Sequence, residues 1–353
     1  MNIGLVLGAG GVMGGAWLTG GLEALARETG WDPGSADRIV GTSAGSLMGA
    51  LLAADIPPWF MVAHSKGDAF EGLQGPDGRP AAEADRSGGA VFRLERRIPR
   101  VGPGSWSLLA HGLTRPGQRT PTAVICGLLP EGLVSNEPLR DTVRRAVPGV
   151  WPDHPGLWVV ACDYATGRRT PFGRPDAPRA EIGEAVAASC AIPGFYRPVT
   201  IGGRRYVDGG VWSTSNLDLL CESPPDLVVC LNPTSSLHPP RAWNPAHRIA
   251  HAFRRTSGRV LGSEAKRLRA AGARVVLIQP THEDHAVMGP NLMATRGRNK
   301  VIQTAIETVG RQLREPAVRE LLRELPEGEP HKVARPEGPP DTWPRIGAAG
   351  ARA

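Results

Sequence analysis

Within its first 54 residues the chain passes twice from an apolar run through a glycine-rich turn into a helix-patterned segment. Ile3-Gly4-Leu5-Val6-Leu7 leads into Gly8-Ala9-Gly10-Gly11-Val12-Met13-Gly14-Gly15, after which residues 16–27 carry Leu18, Leu22 and Leu25 at helical spacing. Residues 37–40 supply the second strand, ending in the apolar Ile39-Val40, Gly41-Thr42-Ser43-Ala44-Gly45 the second turn, and residues 44–54 the second helix. Strand, turn and helix in this order predict a parallel sheet covered by helices, with both turns at one end. Ligands of open α/β sheets bind at that end, outside the carboxyl ends of the strands.

The second turn sets a serine between two glycines, each two residues away, in the pattern of a nucleophile elbow. The serine must occupy a strained corner, where side chains at positions 41 and 45 would meet neighbouring backbone. That corner presents the hydroxyl at a helix start, whose unpartnered N–H groups and dipole stabilise negative charge. Ser43 is therefore the candidate nucleophile. Gly10, Gly11 and the N–H of Ala44 are the candidate donors to the oxyanion of a tetrahedral intermediate. The competing reading is a serine or threonine N-cap on a buried helix, with the glycines serving close packing.

Farther along, residues 58–65 read as a short helix, and residues 68–104 alternate charge with glycine and proline as a variable insertion or lid. Its Val91-Phe92-Arg93-Leu94-Glu95-Arg96-Arg97-Ile98 stretch suits either a lipid interface or a solvated connector. Short helices are expected at 106–113, 123–129 and 138–147, strands at 157–162 and 169–172, and an apolar helix at 181–188. Gly202-Gly203 turns into a strand at 204–207 that ends on Asp208-Gly209-Gly210. A buried strand at 226–232, a long basic helix at 248–271, a strand at 273–279 and a helix at 299–325 complete the pattern, and the tail from Pro326 is expected to be disordered.

The net charge of +7 suits anionic lipid surfaces or nucleic acid, but no basic motif with interleaved aromatics supports nucleic-acid binding. Cys126, Cys162, Cys190, Cys221 and Cys230 show no CxxC spacing, so reduced thiols in a cytosolic protein are expected rather than zinc or disulfides. His247 and His251 share a helix face but have Arg248 where a zinc peptidase needs glutamate. No metal or cofactor is expected. Met1-Asn2 enters a strand directly, without the basic and apolar regions of an export signal. No apolar run approaches the roughly 20 residues that span a bilayer, so any membrane contact is expected to be peripheral.

An acyl-transfer site also needs a base, and Asp208 stands directly after a strand and before two glycines. At the ordinary aspartate pKa of about 3.9 it accepts a serine proton poorly, so a direct Ser–Asp pair requires burial. The alternative is that Asp208-Gly209-Gly210 is an ordinary turn.

These features together resemble the patatin-like phospholipase family. The resemblance rests on the glycine loop Gly8 to Gly14, the elbow Gly41 to Gly45, the block Ala188-Ser189-Cys190-Ala191-Ile192-Pro193-Gly194-Phe195-Tyr196-Arg197-Pro198, and Asp208-Gly209-Gly210. It covers roughly residues 2–280. It implies a three-layer α/β/α sandwich with a mostly parallel central sheet, residues 1–325 forming the hydrolase domain and 326–353 the tail. It further implies a serine acyl hydrolase acting on lipid esters through a Ser43–Asp208 dyad, with no catalytic histidine and with the glycine loop supplying the oxyanion donors. Two positions depart from the family pattern: Ala9 stands where glycine is usual, and Met13 where arginine or lysine is usual.

Other functions fit less well. A dinucleotide site would need glycine where Met13 stands and an acid where Gly41 stands. A histidine triad would draw on His238, His247, His251, His282 or His285, but Ser43 comes early for an ordinary α/β-hydrolase, and residues 282–285 read as a polar loop. A catalytically silent lipid-binding or scaffold protein of the same fold is the remaining alternative, with Met13 as its mark.

Overall fold

A computed structural model describes residues 1–66, 103–108, 126–147, 149–236 and 245–329. The chain order begins β1 (Ile3–Leu7), α1 (Gly11–Thr29), β2 (Arg38–Thr42), α2 (Ala44–Ala53), α3 (Pro58–Lys66) and α4 (Glu137–Ala146). It continues with β3 (Leu157–Asp163), β4 (Arg169–Phe172), α5 (Ile182–Ser189), β5 (Val199–Ile201) and β6 (Arg204–Asp208). Then follow β7 (Leu227–Leu231), α6 (Pro245–Ala270), β8 (Arg274–Ile278), α7 (His282–Met288), α8 (Arg298–Leu313) and α9 (Pro316–Leu322).

One sheet runs in the order β5-β6-β3-β2-β1-β7-β8, with β4 also on β3. Neighbours from β3 through β8 are parallel. The β4 and β6 strands pair antiparallel with β3, and β5 with β6. Alternate strand residues point to opposite faces, and here both faces are buried. Leu5, Leu7, Ile39, Val159 and Val229 join the core made with α1, α2, α5 and α8. Val6, Val40, Val160, Val228 and Cys230 join the core on the other face, with Leu261, Ala265 and Leu268 of α6. The result is an α/β/α sandwich around a mostly parallel sheet.

Several elements differ from the sequence expectations. Helix α1 starts at Gly11, taking in glycines that composition assigns to the loop. Its Gly20 is dictated by packing, since a Cβ there would lie 2.4 Å from the Ile302 carbonyl oxygen of α8. The helix expected over 299–325 is two helices, because Glu315 precedes Pro316 and adopts φ −57°, ψ 130°. Residues 282–285 form not a loop but the start of α7, whose N-terminus is held by reciprocal bonds between Thr281 and Asp284. Short β5, absent from the sequence expectations, is joined to β6 by Gly202 and Gly203 at φ 56° and 77°.

The 91–98 stretch, nearly all of the proposed lid, residues 109–125 and the tail from 330 onward lie outside the described residues. At the start of the tail, the Gly328 N–H donates to the Gly30 carbonyl at 2.8 Å. No helix among the described residues is long and apolar enough to cross a membrane.

Candidate active site

Ser43 lies between β2 and α2 with φ 53° and ψ −121°, a conformation that a residue with a side chain holds only under constraint from its surroundings. The constraint is steric. A Cβ on Gly41 would lie 2.6 Å from the Gly45 oxygen and the Ser46 Cα, and one on Gly45 would lie 2.0 Å from the Leu7 oxygen. The glycines therefore let the elbow press against the end of β1. Three further bonds hold the corner: Ser43 N–H donates to Ser189 Oγ at 2.9 Å, Ser189 Oγ donates to the Val160 carbonyl at 2.6 Å, and Ser46 Oγ donates to the Ser43 carbonyl at 2.6 Å. The Ser43 side chain makes no capping bond to its helix, which removes the N-cap reading.

Gly45→Ala is expected to destabilise the fold by more than about 4 kcal/mol, because both sides of the clash are main chain and neither can rotate away. Gly30→Ala, in open space at φ 69°, should cost only about 1–2 kcal/mol. Denaturant unfolding of the two variants checks the contrast.

The Ser43 side chain lies close enough to Asp208 to favour its ionised form. Asp208 ends β6, is 5% exposed, accepts the Gly210 N–H on Oδ1 at 2.7 Å and donates its own N–H to the Ala191 carbonyl at 3.0 Å. Burial pushes its pKa up to about 6, and the nearby Ser43 side chain and the Gly210 N–H oppose the rise. Strand β2 pairs with residues 157–160 of β3, and β6 pairs with 161–163. The two strands thus occupy consecutive stretches of β3, which carries Asp208 to the end of β2. Gly209 permits the approach, since a Cβ there would lie 2.3 Å from the Val160 oxygen and 3.2 Å from Thr42 Cγ2.

The glycine loop adjoins both. A Cβ on Gly210 would lie 3.4 Å from Ala9 Cβ, and one on Gly15 would lie 3.7 Å from Ala44 Cβ. Gly8 and Ala9 donate to the carbonyls of Leu231 and Thr214, and Met13 to that of Leu292. The N–H groups of Gly10, Gly11 and Ala44 take no part in these bonds and belong to the open first turns of α1 and α2. Gly8, Gly10 and Gly14 are pressed by Asn232 and Pro233, which follow β7: Cβ atoms at Gly8 and Gly10 would lie 2.6 Å from Asn232 Oδ1 and Pro233 Cγ. Met13 is 3% exposed and packs into the core, so a buried thioether and not a cation stands at this position of the loop.

Among the described residues, no histidine is among the groups acting on Asp208. The buried His285 ring lies instead in the field of Arg254, His251 and His282, and burial drives its pKa down to about 3. Cys126, Cys162 and Cys190 lie within the field of Asp208, and burial pushes these thiols up to about 11, 12 and 12. They are neutral at physiological pH, leaving no thiolate beside Ser43. Sequence reasoning missed the bracing by Asn232 and Pro233, the tie from Ser189, and the buried polar run Ser213-Thr214-Ser215-Asn216, which reads as an ordinary surface loop.

A serine on a strand-to-helix elbow at the carboxyl end of a mostly parallel α/β/α sheet is an arrangement that acyl hydrolases use. The family model for patatin-like phospholipase matches residues 5–220, from β1 through the elbow and β6. The chain belongs to the patatin-like phospholipase family, a family of lipid acyl hydrolases.

Proposed function

We propose that this protein hydrolyses carboxylic ester bonds of lipids through an acyl-enzyme on Ser43, with Asp208 as the base and residues 1–325 as the catalytic unit. The observation that supports the reading is a buried carboxylate beside the buried Ser43, its pKa raised by burial to about 6. At that value Asp208 is ionised at neutral pH yet more basic than an ordinary aspartate. As Ser43 Oγ adds to the ester carbonyl carbon, its proton passes to Asp208, and the oxyanion lies against the N–H groups of Gly10, Gly11 and Ala44. Collapse breaks the bond to the alcohol, which takes the proton from Asp208. Water then adds to the acyl carbon and passes a proton to Asp208; collapse breaks the bond to Ser43 Oγ, which takes that proton back, and the carboxylic acid leaves.

Exposed apolar side chains support a lipid substrate. Trp106 is 71% exposed and Leu128 57%. Their segments pair through the Ser105 N–H to Gly127 carbonyl bond and adjoin the turn at 192–196, whose Phe195 carbonyl accepts the Val134 N–H. Contact with a lipid surface through this side would be peripheral.

A fluorophosphonate probe followed by peptide mass spectrometry is expected to place the adduct on Ser43. The labelling rate should fall as pH drops through about 6, because the carboxylate must be ionised to take the proton. An adduct on another residue, or none, overturns the nucleophile assignment and favours a silent binding protein.

A further inference from the structure

Strands β2 and β6 bring Ser43 and Asp208 together, yet each pairs with β3 and neither is paired with the other. Something beyond the sheet ladder must fix the distance between their ends. Asn216 lies at that junction, fully buried at 0% exposure, with φ 52° and ψ 28°. Its Nδ2 donates to Thr42 Oγ1 at 3.0 Å, to the Ser213 carbonyl at 2.7 Å and to the Gly209 carbonyl at 3.4 Å. Thr42 precedes the serine and Gly209 follows the aspartate.

We propose that Asn216 is a positioning residue, whose side-chain amide ties the elbow to the aspartate turn and so sets the Ser43–Asp208 geometry. This rests on the Ser43–Asp208 reading above.

The amide can face only one way. Its Oδ1 meets Arg169 Nη1 at 3.3 Å, a group that can only donate, so the nitrogen must face the three oxygens. Arg169 is itself held by the Asp218 carboxylate, with Nη2 to Oδ2 at 2.8 Å. Beneath the turn, buried Glu264 of α6 accepts the Leu217 N–H at 3.1 Å and the Ser215 hydroxyl. The amide therefore stands on a braced platform rather than on a free loop. Small displacements matter at such a junction, since misplacing reacting groups by about 1 Å can cost about 100-fold in rate.

Asn216→Gly tests the proposal, because glycine keeps the left-handed backbone and deletes the amide. On a soluble nitrophenyl ester, kcat is expected to fall about 100-fold with KM within about threefold of wild type. The acidic limb of the pH–rate profile should also move to higher pH. Moving Ser43 away removes one of the two groups that oppose the rise of the Asp208 pKa, while its burial remains. Among the described residues, the titratable groups facing Asp208 are the thiols of Cys126, Cys162 and Cys190, neutral throughout that range.

A folded Asn216→Gly protein with wild-type kcat and an unmoved acidic limb overturns the proposal, leaving Asn216 only its turn conformation. Should that variant fail to fold, Thr42→Val deletes the acceptor from the other end. It is expected to lose about tenfold in kcat with the same direction of pH shift, and unchanged kinetics there overturn the proposal equally. If wild type is not labelled at Ser43, the dyad reading itself fails. If it is labelled and these variants are silent, only the role of Asn216 fails.

Discussion

Ser43→Ala should abolish fluorophosphonate labelling and lower ester hydrolysis by about four orders of magnitude or more, the scale seen when a nucleophilic serine is removed. The loss should be in kcat, because the hydroxyl forms the covalent bond and the rest of the pocket is untouched. The fold should survive, since the side chain makes no capping bond and the corner is held by Ser189, Ser46 and the glycines. A companion variant separates strain from chemistry. Ser43→Gly should be equally inactive but more stable by about 1 kcal/mol, because glycine adopts φ 53° without the penalty a Cβ carries. Steady-state hydrolysis and thermal melting of the pair check both statements, and a Ser43→Ala protein with wild-type rates would falsify the nucleophile assignment.

Asp208→Asn is the second large effect, and it runs in opposite directions for activity and stability. Without a carboxylate to take the serine proton, kcat should fall by about 10³-fold or more. Stability at neutral pH should rise. The folded-state pKa is raised from 3.8 to about 6, so the folded protein holds its proton over a range where the unfolded chain has lost it. The cost of the buried charge is absent below about 4, grows between about 4 and 6, and is fully present above 6. At about 1.4 kcal/mol per pKa unit the shift corresponds to at most about 3 kcal/mol. The asparagine oxygen can still accept the Gly210 N–H, so the turn keeps its bond. The melting difference between variant and wild type should therefore widen from pH 4 to pH 6 and then level off. A difference independent of pH, or near-normal hydrolysis, would mean that another group is the base.

Much of this arrangement was legible in the sequence because its causes are local. Gly41 and Gly45 could be assigned to a tight elbow from spacing alone, and the structure supplies the reason in main-chain atoms 2.0–2.6 Å from where their Cβ atoms would be. Strands β1, β2, β3, β7 and β8 read as apolar runs because both faces of the sheet are covered. Short β5 did not, since three residues, only the last of them buried, carry no period, and the break before Pro316 was hidden inside a helical pattern. Buried polar residues were the least legible. Asn216 and Glu264 have the composition of a solvated surface, and their burial depends on partners remote in the chain, such as Thr42 for Asn216 and Ser215 for Glu264.

What the order of residues settled is therefore the set of parts: a serine in a glycine-bounded corner, a glycine loop at a helix start, and an acid at a strand end. That the acid stands at the end of β2, buried enough to hold a raised pKa, was decided by β6 pairing antiparallel to β3 with Ala161 opposite Asp208. Strand register is a contact between distant segments, and desolvation is a property of the assembled interior, so neither is encoded in any local stretch of chain.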